Sequence, residues 1–255
     1  MQNQVFADLE TSSSNYASRF AGPIGQWLLS VQSKLFLRLL NGSSSKGSKI
    51  LHPLSGTFSL LDVGGGHGQI VRALMNSPLR NDCEITVLGS DQRCTEGIKE
   101  YLDSGSIKFS LGSPVHLPFA DKAFDYVTSF RFIPHCEDWE RHIGELCRVA
   151  KKGVIVDFPT YQSINFLSPI MFRLKKLLEG NTRTFILFSR YQIEAAFESN
   201  NWKTEQIVGE FSLPMVLHRV LKSPKISGMA EDILRAIGIT KLFGSPLILK
   251  AVPKG

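Results

Sequence analysis

The chain has 255 residues, 43% hydrophobic and 20% charged, a balance that excludes a disordered or fibrous polypeptide and fits one enzyme-sized globular unit. Its 29 Lys and Arg against 23 Asp and Glu leave a net charge of +6 and an isoelectric point near 9.2, an excess suited to an anionic substrate, a nucleic acid or a membrane surface. The basic residues are spread out, with only short clusters at Lys151-Lys152 and at Arg173 with Lys175-Lys176, so a nucleic-acid partner is not expected.

Residues 1–40 read as helices, and Asn41 to Ser48 as a flexible Gly/Ser linker, dividing the chain into an N-terminal helical cap and linker over 1–48 and a core over 49–255. Met1 to Gln4 lack the charged-then-apolar layout of a signal peptide, and no apolar run approaches the roughly 20 residues that span a bilayer, so no targeting segment is expected. Cys83, Cys94, Cys136 and Cys147 show neither C-x-x-C spacing nor the density of a disulfide scaffold, which points to a reducing cytoplasm.

Phe58, Leu60, Leu61 and Val63 predict a strand over 58–63, and Ile70, Val71 and Leu74 recur at helical spacing just after Gly64-Gly65-Gly66-His67-Gly68. A glycine turn between strand and helix lets a ligand approach the backbone, and the helix start presents unpaired N–H groups to it, as nucleotide sites require. A dinucleotide-binding dehydrogenase would show G-x-G-x-x-G. From Gly64 the spacing is instead G-x-G-x-G, with Gln69 where the third glycine would fall, which weakens that reading.

Further strands are predicted near 84–90, 106–110, 124–130, 153–158, 203–210 and 246–252, with helices between most of them, including an amphipathic one from Asp138 to Ala150. This alternation predicts an α/β fold with a doubly wound, mostly parallel sheet. Helical insertions are expected near 162–188, where Phe166 to Gly180 carries an apolar stripe, and near 214–240, where Pro214 to Gly238 carries another. These segments are read as covering the carboxyl ends of the strands, meeting a membrane or a second subunit, or packing on the core.

Asp62 followed by Gly64, Gly66 and Gly68 resembles the first motif of the class I S-adenosylmethionine-dependent methyltransferases. Three further matches follow in order. Val87 to Asp91 is similar to the family's second strand ending in an acid, Leu117 to Val127 resembles its "LPF...FD.V" segment, and Glu145 to Val149 its "EL.RV" helix end. The resemblance implies a seven-stranded Rossmann-like fold and S-adenosylmethionine as cofactor. It implies that Gly64, Gly66 and Gly68 admit the methionine portion, that Asp62 organises the loop or contacts the cofactor, and that Asp91, 23 residues after Gly68, accepts hydrogen bonds from both ribose hydroxyls. Gly66→Val is accordingly expected to abolish binding by filling ligand space at a glycine-type backbone. Many relatives have Gly-Asp where this chain has Gly112-Ser113, so adenine binding is expected to lean on Ser113, Gln92, Arg93 and backbone groups. Tyr16 to Phe20 resembles a "Y..RF" segment that closes over the cofactor in some members, and is equally readable as a packing helix. His116 is read as lying near adenine, and His67 as a filler of the glycine loop.

On the acceptor side, Arg131 and His135 follow the fourth strand, where the reaction belongs in this fold. His135 suits proton acceptance, and Arg131 suits a bidentate clamp on a carboxylate or phosphate. Asp157 and Tyr161, ending the fifth strand, form a second wall. Arg183 and His218-Arg219 are polar groups in the cover segments, read as substrate contacts or as solvent-facing. No cluster has metal-ligand spacing, so no metal is expected. The resemblance implies methyl transfer to a small-molecule or lipid-like acceptor with apolar surface, O-methylation ahead of N or C. An RNA methyltransferase and a non-catalytic S-adenosylmethionine-binding scaffold are the alternatives, and peripheral membrane contact stays open.

Overall fold

The computed structural model describes residues 7–42, 56–161 and 186–255. Strands β1 (Phe58–Val63), β2 (Cys83–Gly89), β3 (Ile107–Leu111), β4 (Phe124–Ser129), β5 (Ala150–Phe158), β6 (Trp202–Phe211) and β7 (Ser245–Pro253) form one seven-stranded sheet in the order β3-β2-β1-β4-β5-β7-β6. Neighbours pair in parallel except at β7, which runs antiparallel to both β5 and β6. This is the Rossmann-like α/β arrangement expected from the alternating pattern. Strand order reverses between β1 and β4, so the loops leaving those two strands diverge and open a crevice at their carboxyl ends.

The described helices are α1 (Ala7–Thr11), α2 (Ser14–Ser18), α3 (Gly22–Leu40), α4 (Gln69–Met75), α5 (Lys99–Asp103), α6 (Trp139–Val149), α7 (Arg190–Ser199), α8 (Met215–Leu221), α9 (Pro224–Ala236) and α10 (Ile239–Phe243). Successive strand side chains point to opposite faces. Phe58, Leu60, Ile85, Val87 and Ile155 therefore meet Leu35, Phe36 and Leu39 of α3 and Ile70 and Leu74 of α4. Leu61, Val63, Val127, Val154 and Val156 meet Ile143 and Leu146 of α6 and Ile193 and Phe197 of α7 on the other side. Burial on both faces explains why the central strands read as apolar runs. β5 begins at Ala150, earlier than the apolar pattern suggests, because Lys151 and Lys152 extend it with exposed side chains; Lys152 pairs with Asp125 at 3.0 Å.

The last residue of β6, Phe211, pairs with the first of β7, Ser245. Residues 212–244, which hold α8 to α10, thus leave and rejoin the sheet at its carboxyl edge. Much of the expected apolar stripe faces solvent: Val216, Leu217, Ile226, Ile233 and Ile237 are exposed, while Met215 and Leu234 are half-buried. The other expected cover stripe, Phe166 to Gly180, lies outside the described residues, as do Asn181-Thr182-Arg183, the Arg173, Lys175 and Lys176 cluster, and residues 43–48 of the linker.

Candidate active site

The glycine loop turns the chain from β1 into α4 with two left-handed residues, Gly64 at φ 74° and Gly68 at φ 69°, flanking a 3-10 turn over Gly65–His67. Glycine takes this backbone without the steric cost a side chain would add. Gly66 is different from the expectation. It is absent from the left-handed set, and a Cβ there would lie 2.3 Å from the Cys94 carbonyl oxygen and 2.3 Å from Ser12 Oγ. Close packing of the loop against Ser12 and the turn after β2 demands glycine there, in place of the expected left-handed backbone. His67 also exceeds a filler. Its Nδ1 accepts from Gln69 N at 3.2 Å, so Nε2 carries the proton and donates to the Phe130 carbonyl at 3.3 Å, which caps α4 and ties it to the loop after β4. Burial, with Arg131 nearby, holds its pKa well below the usual histidine value.

Asp62, fully buried at the end of β1, accepts from Thr128 Oγ1 at 2.9 Å through Oδ1, while Oδ2 has no hydrogen-bond partner among the described residues. Burial raises its pKa to about 7. Two residues beyond β2, Asp91 is half-buried and forked to Arg93, whose Nε and Nη2 donate at 2.9 and 2.8 Å; those bonds hold its carboxyl down at about 2. Gln92 is exposed in the 3-10 turn that follows, and Ser113, beyond β3, accepts weakly from Val115 N at 3.4 Å. Sequence reading missed Asp8. This buried carboxylate of α1 accepts from the Ser90 backbone N–H at 2.6 Å and hydroxyl at 2.7 Å, pinning the N-terminal helix beside Asp91 and over the glycine loop.

Arg131 leaves β4 in the left-handed region at φ 59°, a costly conformation that persists because its surroundings fix it. Its N–H donates to Asp157 Oδ1 at 2.6 Å, its Nη2 to Gln32 Oε1 at 3.3 Å, and its guanidinium lies 4.5 Å from the Phe20 ring and 5.9 Å from that of Tyr16. Gln32 donates in turn to Asp157 Oδ2 at 3.1 Å and to Glu210 Oε1 at 2.6 Å. Burial pushes Asp157 up to about 6 and Glu210 up to about 8, the nearby Asp157 adding to the second shift. Arg131 and Asp157 are thus brought together as expected, joined by Gln32, Glu210 and Tyr16, which were not assigned to this cluster. Two signals were available for them. Gln32 shares the buried stripe of α3 with Leu28, Leu35 and Leu39, and Glu210 is an acid among the apolar residues that end β6.

The other candidates lie elsewhere. His135 ends the 3-10 turn Ile133–His135, half-buried, and Tyr161 is half-exposed with its N–H donating to the Phe188 carbonyl at 3.1 Å. Neither contributes an atom to the bonds linking Gln32, Arg131, Asp157 and Glu210. His116 is exposed and bonded to Arg141 of α6. His218 is buried against Trp27 and bonded to Glu231 at 3.1 Å, while exposed Arg219 donates to the Arg19 carbonyl at 3.3 Å. His142, not singled out in the sequence, is buried with Nδ1 2.7 Å from the Pro114 carbonyl and Nε2 3.0 Å from Ser129 Oγ; burial lowers its pKa to about 4, so it braces the site as a neutral ring. Among the described residues no group of three or more His, Cys, Asp and Glu is placed to hold a metal ion, and no helix is long and apolar enough to cross a membrane.

Residues 61–157 match the methyltransferase-domain family. Over 120 residues the chain is 31% identical to the norajmaline N-methyltransferase of Rauvolfia serpentina, covering 46% of this chain and 40% of that one. Over 146 residues it is 27% identical to the ubiquinone/menaquinone biosynthesis C-methyltransferase UbiE of Rickettsia rickettsii, covering 49% and 57% respectively. The chain thus spans about half the length of these curated relatives. Its fold is similar to that of the magnesium protoporphyrin IX methyltransferase (ChlM) of Synechocystis PCC 6803 with bound SAH, at a TM-score of 0.59 and 13% identity over 95% of this chain and 96% of that one.

Proposed function

We propose that the chain, whose residues 61–157 match the methyltransferase-domain family, transfers a methyl group from S-adenosylmethionine to a small-molecule or lipid-like acceptor, a hydroxyl oxygen ahead of nitrogen or carbon. The observation that carries the acceptor class is the Arg131 cluster. It combines a cation, two buried carboxyl groups and two aromatic rings at the carboxyl ends of β4, β5 and β6, a lining suited to a compact molecule with one polar end. The relatives' names, an N-methyltransferase and a ubiquinone/menaquinone C-methyltransferase, support small organic acceptors and leave the methylated atom to this chain's own chemistry.

The cofactor fits the residues present. A buried carboxylate oxygen without a partner is costly, and Asp62 Oδ2 would be satisfied by a cationic amino group such as that of the methionine portion. Asp91, ionised at all physiological pH values, is suited to accept the ribose hydroxyls, with Gln92 and Ser113 flanking the adenine side. When bound, S-adenosylmethionine supplies an electrophilic methyl group on a sulfonium. The chain's work is then to hold the acceptor in line, exclude water and receive a proton. Arg131 anchors an anionic acceptor group. Asp157, ionised near neutrality, receives the hydroxyl proton, with His135 and Tyr161 as the other groups at this edge.

Incubation with methyl-labelled cofactor and fractionated cell extract, followed by mass spectrometry, tests the proposal. Label is expected in an organic-soluble product. Greater incorporation into total RNA would replace the acceptor class, and tight cofactor binding without label in any fraction would leave a binding scaffold.

A further inference from the structure

The three helices that follow β6 are inside out. α9 buries Ser227 and Glu231, one turn apart, and turns Ile226, Met229 and Ile233 to solvent, Met229 being 67% exposed and Ile233 61%. On α8 the buried residue is His218, while Val216 and Val220 are exposed at 52% and 69%. The inversion has a cause in hydrogen bonding. Glu231 accepts from the backbone N–H groups of Ser212 and Leu213, at 2.8 and 2.9 Å, and from His218 Nε2 at 3.1 Å, and Ser212 Oγ lies 2.6 Å from Thr240 Oγ1. With polar side chains holding the inner face, the apolar stripes are left exposed among the described residues, and exposed apolar side chains clustered on adjoining helices mark an interaction site.

The surrounding charge selects the occupant. Arg219, Lys222, Lys225, Arg235 and Lys241 are all exposed, and none is ion-paired among the described residues; Asp232 is the one exposed acid between Met215 and Phe243. A second copy of the chain would set this positive rim against itself. A bilayer bearing anionic headgroups complements both the apolar stripe and its basic border, the pattern of helices that lie in the membrane interface. We propose that the outer face of α8, α9 and α10 docks on anionic phospholipid surfaces. Trp27 of α3 touches His218 with ring centroids 5.1 Å apart, so the inner face of α8, opposite the docked one, packs on α3. The inference needs no methyl transfer to hold, and its test uses none.

The full chain is sedimented with vesicles of phosphatidylcholine alone and of phosphatidylcholine with phosphatidylglycerol, at low and high salt. Binding to the anionic vesicles is expected at low salt, about tenfold or more above the neutral ones, weakening as salt rises. Met229→Asp with Ile233→Asp should abolish it, and Lys222→Glu with Lys225→Glu should weaken it without touching the apolar stripe; circular dichroism of both variants should match the parent, since all four side chains are exposed. No partition onto either vesicle, or equal partition onto both, overturns the proposal. So does a dimer in light scattering that Ile233→Asp dissociates, which would assign the face to a second copy. Should the apolar variant fail the fold control, the charge variant decides alone.

Discussion

Asp91 and Asp157 lie at the same carboxyl edge of the sheet, after β2 and near the end of β5 with β1 and β4 between them, and their surroundings drive their pKa values apart. The Arg93 fork holds Asp91 ionised, so cofactor affinity should not change between about pH 5 and 8 on its account. Asp91→Ala should weaken S-adenosylmethionine binding by roughly 1–3 kcal/mol, the scale of hydrogen bonds to a charged group, as read by calorimetry. Arg93→Ala frees both oxygens and should leave binding equal or tighter; parental affinity in a folded Asp91→Ala ends the ribose role. Asp157 raises a different question, because burial lifts its pKa to about 6, inside the working range of an enzyme. If Asp157 takes the acceptor proton, kcat/KM should fall below about pH 6, and substitution identifies the group responsible. Asp157→Asn should remove that limb with a loss on the order of 10²- to 10⁴-fold, and His135→Asn should keep it. Glu210 supplies a stability test. Its folded pKa of about 8 lies above the ordinary 4.5, so the folded chain binds more protons between those values, and stability falls as pH rises across that window. Buried His142, lowered to about 4, acts oppositely below pH 6.5, so the comparison must be with a variant. Glu210→Gln should gain melting temperature relative to the parent at pH 8 more than at pH 5; a pH-independent difference would place the Glu210 carboxyl in the ordinary range.

At the scale of elements, the motifs legible in the sequence are those whose partners follow within a short span or whose backbone demands one residue type. The "LPF" and "EL.RV" segments prove to be one contact. Glu145 accepts from Leu117 N at 2.7 Å, and Arg148 donates to the Leu117 and Phe119 carbonyls at 3.0 and 2.8 Å while forked to Glu145. The central strands were readable because burial on both faces writes apolar runs, whereas the edge strands β3 and β6 carry exposed polar residues between their apolar ones. Gln32, Glu210 and Asp8 were not readable in their roles, because each acquires its partner across a long stretch of chain, Gln32 to Glu210 across 178 residues. A lone polar residue at a core position shows that something is satisfied there, without showing what. The glycine loop illustrates the limit within a motif. Gly64 and Gly68 answer to their backbone angles, but Gly66 answers to the Cys94 carbonyl. Gly66→Val should consequently lower the melting temperature of the cofactor-free protein, overpacking of this kind costing roughly 1–3 kcal/mol, besides abolishing binding. An unchanged cofactor-free melting temperature would return the glycine to ligand space alone.

For the molecule as a whole, the free thiols report which parts open together. Cys83, Cys94, Cys136 and Cys147 are all buried, and burial raises every one of their pKa values, Cys94 to about 11 and Cys83 and Cys136 to about 12, so little reactive thiolate exists in the closed protein. Labelling by a thiol reagent must therefore follow opening. Cys83 of β2 and Cys147 of α6 belong to the two core clusters on opposite faces of the sheet and should wait for global unfolding. Cys94 is covered differently. Its sulfur lies 3.6 Å from Asp8 of α1, a five-residue helix too short to be stable by itself, so detaching that helix costs less than unfolding the sheet. Cys94 should label first in native buffer, and Asp8→Asn, which removes the charge that Ser90 holds, should accelerate it. If α1 closes over bound S-adenosylmethionine, adding the cofactor should slow Cys94 while leaving Cys147 at its global rate. Mass spectrometry of the partly labelled chain resolves the four sites, and a single common rate for all of them would mean that the N-terminal helix opens only when the whole fold does.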